Sequence, residues 1–419
     1  MPFKAMKIAL ISFGSRGDLE PIMAIGAELA RRGFETRMIA NADIRELPIP
    51  ADLDLRCIPL NVKSLLQREG DALLNARSPV KSLKILSGII LNNLYELSHA
   101  VFEQAKDCDL ILINERYYVL AQNFIDHNQA KVVQLCFQPK GETSTFPYLY
   151  YRPWFFRFFP HRLTHRFVDA MLLRKFLPAV NRMRADRLGM PPLRLWPLLQ
   201  QKWKGLMLQG FSPSLFKRPQ DWNKNLVVCG QWRETGKPPA TLPPALQEFL
   251  ARPGFTLCVG FGSMLYEEKA LGQILVGLAQ ELNIKIVWIQ NWNSGRGAKN
   301  KVQNERLFIL AECDHDALFM HVDAVLHHGG SGTVHSAARH GKPQLISWFM
   351  LDQSFWAAQI ESLGLGINLG AYHELNTEKL LQSLRLVVDN KSMADKCVIA
   401  AQGMAHENGV GAVMEQIFD

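Results

Sequence analysis

A nearly unbroken apolar run, Ile8-Ala9-Leu10-Ile11-Ser12-Phe13, opens into the turn Gly14-Ser15-Arg16-Gly17 and then a helical pattern from Pro21 to Arg32. Ile22, Ile25 and Leu29 recur there at helical spacing, and Gly33 stands where a helix C-terminus favours glycine. Glu35 to Ala40 reads as the next strand. A β-α-β unit of this kind seeds a parallel sheet covered by helices on both faces. The basic start Met1 to Lys7 resembles the head of a signal peptide. The apolar run behind it is short and lacks a small-residue cleavage site, so a buried first strand is the expectation.

The same grammar continues. Asp109 to Asn114 and Lys131 to Cys136 look like later strands of the first sheet. The polar, proline-rich stretch Trp232 to Pro239 has linker composition. A second α/β pattern follows: strand Thr256 to Phe261, helix Glu267 to Leu282, strand Lys285 to Ile289 and short strand Asp323 to Leu326. A chain of 419 residues suits two domains. The expected fold is α/β, with two Rossmann-like domains facing across a cleft. The expected boundaries are 1–225 for an acceptor-binding domain, 226–240 for the linker and 241–395 for the second domain. A helix within 396–419 completes the chain.

Seven widely spaced cysteines without a C-x-x-C fit reduced thiols in a cytoplasmic compartment rather than a disulfide framework or zinc site. No stretch approaches the length of an apolar membrane span. The net charge of +8 is unevenly spread. Residues 140–220 hold 15 Lys+Arg and 3 Asp+Glu, leaving 32 basic against 36 acidic residues elsewhere. Twelve Phe, Tyr and Trp lie between Phe137 and Phe176, among them Tyr148, Tyr150, Tyr151, Trp154, Phe155, Phe156, Phe158 and Phe159. Arginines among aromatics suit a membrane interface or an apolar acceptor site, and equally a solvated face over ordinary core. Peripheral contact at the inner membrane face through 140–220 is one expectation. Nucleic acid is not expected, because no nucleic-acid module signature accompanies the basic segment.

The chemistry concentrates in His327-His328-Gly329-Gly330-Ser331-Gly332-Thr333, where a strand feeds a glycine-rich turn and a helix, Val334 to His340. Glycines admit close backbone approach, and helix-start N–H groups favour an anion. Ser331 and Thr333 hydroxyls and an imidazole add donors. Alone, the segment reads more readily as a plain strand-to-helix turn. Strand Lys342 to Ser347 then leads to Asp352-Gln353, a carboxylate and an amide suited to sugar hydroxyls, although such a pair taken alone is more often just a helix cap. Ligands of open α/β sheets sit beyond the C-terminal strand ends, so diphosphate and hexose would be neighbours.

The run from His327 to Thr333, Gly341-Lys342-Pro343-Gln344 and Asp352 to Ala357 resembles the nucleotide-sugar glycosyltransferases with two Rossmann-like domains, the GT-B fold and UDP-glycosyltransferase family. It looks most like the branch with sterol glucosyltransferases, rhamnolipid-type and macrocycle-antibiotic enzymes. Gly14 to Pro21, Gly210 to Ser214 and Arg218 to Trp222 are similar to that branch as well. The middle, roughly 45–205, matches weakly. The resemblance implies inverting, metal-free hexosyl transfer, without a cofactor, from a nucleotide diphosphate sugar (UDP-glucose first, a TDP-deoxysugar next) to a hydrophobic or lipid-like acceptor.

It also implies roles. His327, Gly329, Gly330, Ser331, Gly332, Thr333 and Ser263 would hold the diphosphate. Asp352 and Gln353 would hold the sugar, and Glu312 and Cys313 the base. The last helix would pack back on the first domain. Asp18 is the implied general base; capping the helix that opens at Pro21 is its plainer role, and the two are compatible. His335 stands where plant-type relatives carry a ribose-binding Glu, and Cys313-Asp314 replaces the proline common in the base loop. A sugar-nucleotide epimerase or a non-catalytic nucleotide-sugar-binding protein on the same scaffold is the alternative. A dehydrogenase is disfavoured because the first turn lacks G-x-G-x-x-G.

Overall fold

The computed structural model describes residues 6–61, 64–65, 68–69, 72, 79–148, 159–234, 236, 240–290, 301–350 and 352–418. The chain forms two compact units. The first comprises Met1–Pro213, Lys217–Thr235 and Asn408–Asp419; the second comprises Ser214–Phe216 and Gly236–Glu407.

The first unit is built in order from β1 (Lys7–Ile11), α1 (Arg16–Arg31), β2 (Glu35–Asn41), β3 (Asp54–Ile58), α2 (Pro79–Ala105), β4 (Leu110–Asn114), α3 (Ala121–Asn128) and β5 (Lys131–Cys136). Then come α4 (His161–Met183), α5 (Leu195–Lys204), β6 (Met207–Gln209) and β7 (Leu226–Val228). The strands run parallel in the order β3-β2-β1-β4-β5-β6-β7. Leu226 to Val228 therefore belongs to the first sheet rather than to a linker beginning at 226, and the first unit extends to Thr235. In β1, Ile8 to Ile11 are fully buried. Ile8 and Leu10 pack with α1, while Ala9 and Ile11 face a second core with residues of α2, α3 and α4. A strand covered on both faces must be apolar throughout, which is why it lacks alternation.

The second unit runs α6 (Pro244–Ala251), β8 (Thr256–Gly260), α7 (Glu268–Glu281), β9 (Lys285–Ile289), β10 (Lys301–Asn304), β11 (Leu307–Leu310), α8 (His315–Phe319) and β12 (Ala324–His327). It continues with α9 (Ser331–Arg339), β13 (Gln344–Trp348), α10 (Gln353–Ser362), β14 (Gly366–Ala371), α11 (Thr377–Asp389) and α12 (Lys391–Ala405). The sheet order is β10-β11-β9-β8-β12-β13-β14, with β10 alone antiparallel. The terminal region holds two helices. α12 belongs to the second unit, and α13 (Gly409–Phe418) belongs to the first, where Val410, Val413, Met414 and Ile417 join the core under α1.

Apart from β7 and β10, both sheets share one winding order. It reverses direction between β1 and β4 in the first and between β8 and β12 in the second. Such reversal points leave a crevice at the C-terminal strand ends.

Candidate functional site

In the first unit, the reversal point holds Asp18. α1 begins at Arg16, five residues before the expected Pro21, with Ser15 as its N-cap. Asp18 is thus the third helical residue, and its carboxylate reaches back to the cap. Oδ2 accepts from Ser15 N at 3.0 Å and Ser15 Oγ at 3.2 Å. Gly14, at φ +149°, makes room, because a Cβ there would lie 2.3 Å from Oδ2. Oδ1 accepts from Arg116 Nη1 at 3.0 Å, across from the end of β4. The cap role and an ordered, partly exposed carboxylate coexist. Asn41 clasps the turn from β2, accepting from Gly14 N at 2.9 Å and donating to Gly14 O at 3.1 Å. Sequence reasoning missed Arg116; only its place just past a strand, once the sheet order is known, marks it.

Beyond β4 and β5 lies a buried ionic quartet. Lys140 Nζ meets Glu115 Oε2 at 2.5 Å, and Lys202 Nζ meets Asp169 Oδ1 at 2.6 Å. Lys202–Glu115 at 3.7 Å and Lys140–Asp169 at 4.0 Å close the ring. Burial alone would raise both carboxyls, but the two ammonium groups hold them below their ordinary values. Lys140 and Lys202 are therefore internal charges, and so is Arg184, bound to Asp126 at 2.6 Å. Tyr148 and Phe176 are core. Tyr150, Tyr151, Trp154, Phe155, Phe156 and Phe158 lie outside the described residues.

In the second unit, the glycine-rich segment splits in two. Ser331, Gly332 and Thr333 form the first turn of α9, with Gly330 as N-cap. Helical bonding begins with Val334 N to Gly330 O at 3.0 Å. The N–H groups of a first turn precede that ladder and have no intrahelical acceptor. Gly332 is exposed and Thr333 partly so. Two of the three glycines, Gly329 and Gly330, are sterically constrained. Gly329 has φ +85°, and a Cβ there would meet Ile346 Cγ2 at 2.8 Å and Gln353 O at 2.9 Å; a Cβ on Gly330 would sit 2.4 Å from His328 Nε2.

The two histidines differ. His327 is fully buried, contrary to the expected ligand-facing ring. Gly329 N donates to its Nδ1 at 3.0 Å, so Nε2 carries the proton and donates to Gln344 Oε1 at 2.9 Å. Gln344 Nε2 passes the chain on to Val334 O at 3.2 Å. Burial pushes His327 down to about 3, so the ring is neutral and braces the turn from beneath. His328, partly exposed, lies instead between Gly262 after β8 and Gly330. Its Nδ1 is out of solvent contact with no hydrogen-bond partner, and burial holds it at about 4. A neutral imidazole there offers one N–H. Ser263 is in the tight turn beyond β8, closed by Met264 N to Phe261 O at 3.1 Å. His335 is buried against Trp356, with centroids 4.9 Å apart, and its Nδ1 donates to Ser331 O at 2.7 Å. It is packing, not a replacement for a ribose ligand.

Gln353 also departs from expectation. Its Oε1 accepts from Phe349 N at 2.8 Å and Met350 N at 3.0 Å, and its Nε2 points at Met264 Sδ, 3.4 Å away. The side chain folds the loop after β13 rather than presenting its oxygen to a ligand. Asp352 is the N-cap residue of α10 and is partly exposed. Glu312 is exposed and Cys313 half-buried beyond β11; burial pushes the Cys313 thiol up to about 11. Asp314, in place of the usual proline, caps α8 by accepting from Asp316 N at 2.8 Å. Ser263, the turn of Gly329 to Thr333, Asp352 and Glu312-Cys313 thus follow β8, β12, β13 and β11. Every one stands just past the C-terminal end of a parallel strand of one sheet.

Two Rossmann-like units in succession, the second with its candidate groups along the C-terminal strand edge, define a protein of the GT-B class. Solved structures share the fold: the glycotransferase of kitacinnamycin has a TM-score of 0.70 at 14% identity, covering 98% of both chains. The calicheamicin glycosyltransferase CalG4 has 0.66 at 13%, covering 99% of this chain and 97% of that one. The glycosyltransferase SsfS6 of Streptomyces sp. SF2575, complexed with thymidine diphosphate, has 0.61 at 16%, covering 98% and 99%. Residues 281–417 match the family model of the erythromycin biosynthesis protein CIII-like C-terminal domain. Sterol 3-beta-glucosyltransferases of Saccharomyces cerevisiae (strain YJM789) and Pichia angusta are 27% and 26% identical over 100% of this chain, which covers 35% and 34% of theirs. The chain spans about a third of the length of these curated relatives. The chain thus has the GT-B fold and is similar in sequence to UDP-glycosyltransferases of that type.

Proposed function

We propose that the chain is an inverting glycosyltransferase that moves a hexose from a nucleoside diphosphate sugar to a hydroxyl of a sterol-like or other hydrophobic acceptor. The observation that carries this is the alignment of every candidate donor group along one C-terminal strand edge. UDP-glucose is the first donor to test and a TDP-sugar the second, the latter supported by the thymidine diphosphate in the SsfS6 structure. The sterol glucosyltransferase relatives support the acceptor class.

In this mechanism Asp18 takes the proton of the acceptor hydroxyl as its oxygen bonds to the anomeric carbon. The bond from that carbon to the diphosphate breaks on the opposite face, and the nucleoside diphosphate departs with the electron pair. Its growing charge meets the first-turn N–H groups of α9, the Ser331 and Thr333 hydroxyls and the His328 N–H, a preorganised set that can serve without a metal ion. Ser263 reaches the phosphates from β8, Asp352 holds sugar hydroxyls, and the backbone of Glu312 and Cys313 meets the base. His327 and Gln353 act by shaping these loops. Arg116 and Ser15 fix the direction of the Asp18 carboxylate.

The experiment is a panel of labelled nucleotide sugars with a sterol acceptor, with and without a chelator. Transfer insensitive to chelator is expected. Epimerised sugar, or retention of the nucleotide without turnover, would replace the proposal. Asp18→Asn should lower transfer by at least about a hundredfold while donor affinity is kept. Near-normal turnover in that variant removes Asp18 as the base.

A further inference from the structure

Two loops that would meet the nucleotide stand on strands that are not neighbours. Glu312-Cys313 follows β11 and the turn of Gly329 to Thr333 follows β12, yet the sheet order β11-β9-β8-β12 puts two strands between them. Three strand spacings of about 4.8 Å set the two loops about 14 Å apart. β11 pairs with β10 and β9, and β12 pairs with β8 and β13, so the link between the loops runs through the helices that follow them. Asp316, in the first turn of α8, reaches across to α9. Its Oδ1 accepts from Ser336 Oγ at 2.8 Å and from Arg339 Nη2 at 2.6 Å. The Arg339 side chain is only 13% exposed, which sets this pair apart from a surface salt bridge. Burial alone would raise the Asp316 carboxyl, but Arg339 and the Ser336 hydroxyl hold it below its ordinary value.

The start of α8 is fixed in turn. Asp314 Oδ1 accepts from Asp316 N at 2.8 Å and Ala317 N at 3.3 Å, and its Oδ2 accepts from Ala240 N at 3.3 Å. Cys313 Sγ donates to Asp314 O at 3.4 Å. Base loop, cap and α9 are thus one connected set of contacts. Beneath them Ala317, Leu318 and Phe319 share a core with Ala337. Apolar packing is non-directional and holds the helices together without fixing how one slides along the other. Two donors on one carboxylate oxygen do fix it, because hydrogen bonds are directional.

We propose that Asp316 is a positioning residue that sets the separation of the base loop and the diphosphate turn, so that a nucleoside diphosphate meets both at once. The inference rests on the proposed donor site. A ligand that spans both loops gains from their being prearranged, whereas a fragment that meets one loop gains nothing.

The test is calorimetric titration of the full chain with UDP and with TDP. Uridine or thymidine and inorganic pyrophosphate then compete against the tighter nucleotide. Asp316→Asn should weaken that nucleotide about tenfold, keep nucleoside and pyrophosphate within about twofold, and leave the thermal midpoint in place. In turnover, KM for the sugar nucleotide should rise while kcat is kept. Arg339→Met breaks the same pair from α9, should act alike, and covers a misfolded Asp316→Asn. Equal weakening of nucleotide, nucleoside and pyrophosphate would mean a general loosening of the unit and would overturn the proposal. Unchanged nucleotide affinity in the folded variants would overturn it too, with the donor site left standing. A wild-type chain that binds neither UDP nor TDP overturns the donor site and the positioning role together.

Discussion

Gly329 stands at φ +85° with Ile346 Cγ2 and Gln353 O both within 3 Å of where a Cβ would be. A side chain there meets backbone strain and two rigid neighbours at once. Gly329→Ala should cost about 2–4 kcal/mol and dislodge the start of α10. Gly332→Ala, with nothing within 4 Å of its Cβ position, is the matched control and should stay near neutral. Comparable losses in thermal unfolding of the two variants would contradict this account. The sequence showed that both glycines mattered to the turn but not which was sterically trapped. It was silent in the same way about the histidines. Side chains alternate across a strand, so which ring passes beneath α9 depends on where β12 ends, and that boundary is set by pairing to β8 and β13.

The apolar runs of β1, β5, β8 and β9 were legible because buried parallel strands need no alternation. The start of α9 was not. Gly330 to Thr333 have poor helix propensity, and the fold forms a helix there through tertiary packing of Val334, Ala337 and Ala338. The start of α1 was misread for a similar reason, since the glycine and proline around Asp18 conceal a cap at Ser15. Nothing in composition could reveal that Lys140 and Lys202 turn inward, because their partners come from β4's end and α4. That quartet supports a prediction about elements. Lys140→Met leaves two buried carboxylates, Glu115 and Asp169, sharing the one cation Lys202 and should cost about 3–5 kcal/mol. Glu115→Met with Lys140→Met should recover much of the loss, since no uncompensated charge remains. Hydrogen exchange of the β4 and β5 amides reads both. A double variant no better than the single one would mean that the pair contributes through packing alone.

Across the whole chain, the two units carry different buried titrating groups, so acid should not affect them equally. His327 and His335 are fully buried, and burial holds them at about 3 and about 4 in the fold. Unfolded, each titrates near 6.5. Below that value the unfolded form binds protons that the folded form refuses, so stability is complete above about pH 6.5 and declines as pH falls. For these two rings the slope approaches about 2.7 kcal/mol per pH unit, with the lowered His328 and His340 adding in the same sense. In the first unit His165 is lowered as well, by burial first. Its quartet carboxyls are depressed, so their contribution persists until the pH drops below about 4. Segment-resolved hydrogen exchange between pH 7 and 4.5 should therefore show β12 and β13 losing protection ahead of β4 and β5. Equal loss in both sheets, or earlier loss in the first, would show that the histidines beneath the glycine-rich turn are not what limits the second unit in acid. The groups that brace the proposed phosphate turn would be the ones to release it, because the bracing requires a neutral imidazole: a protonated His327 can no longer accept from Gly329.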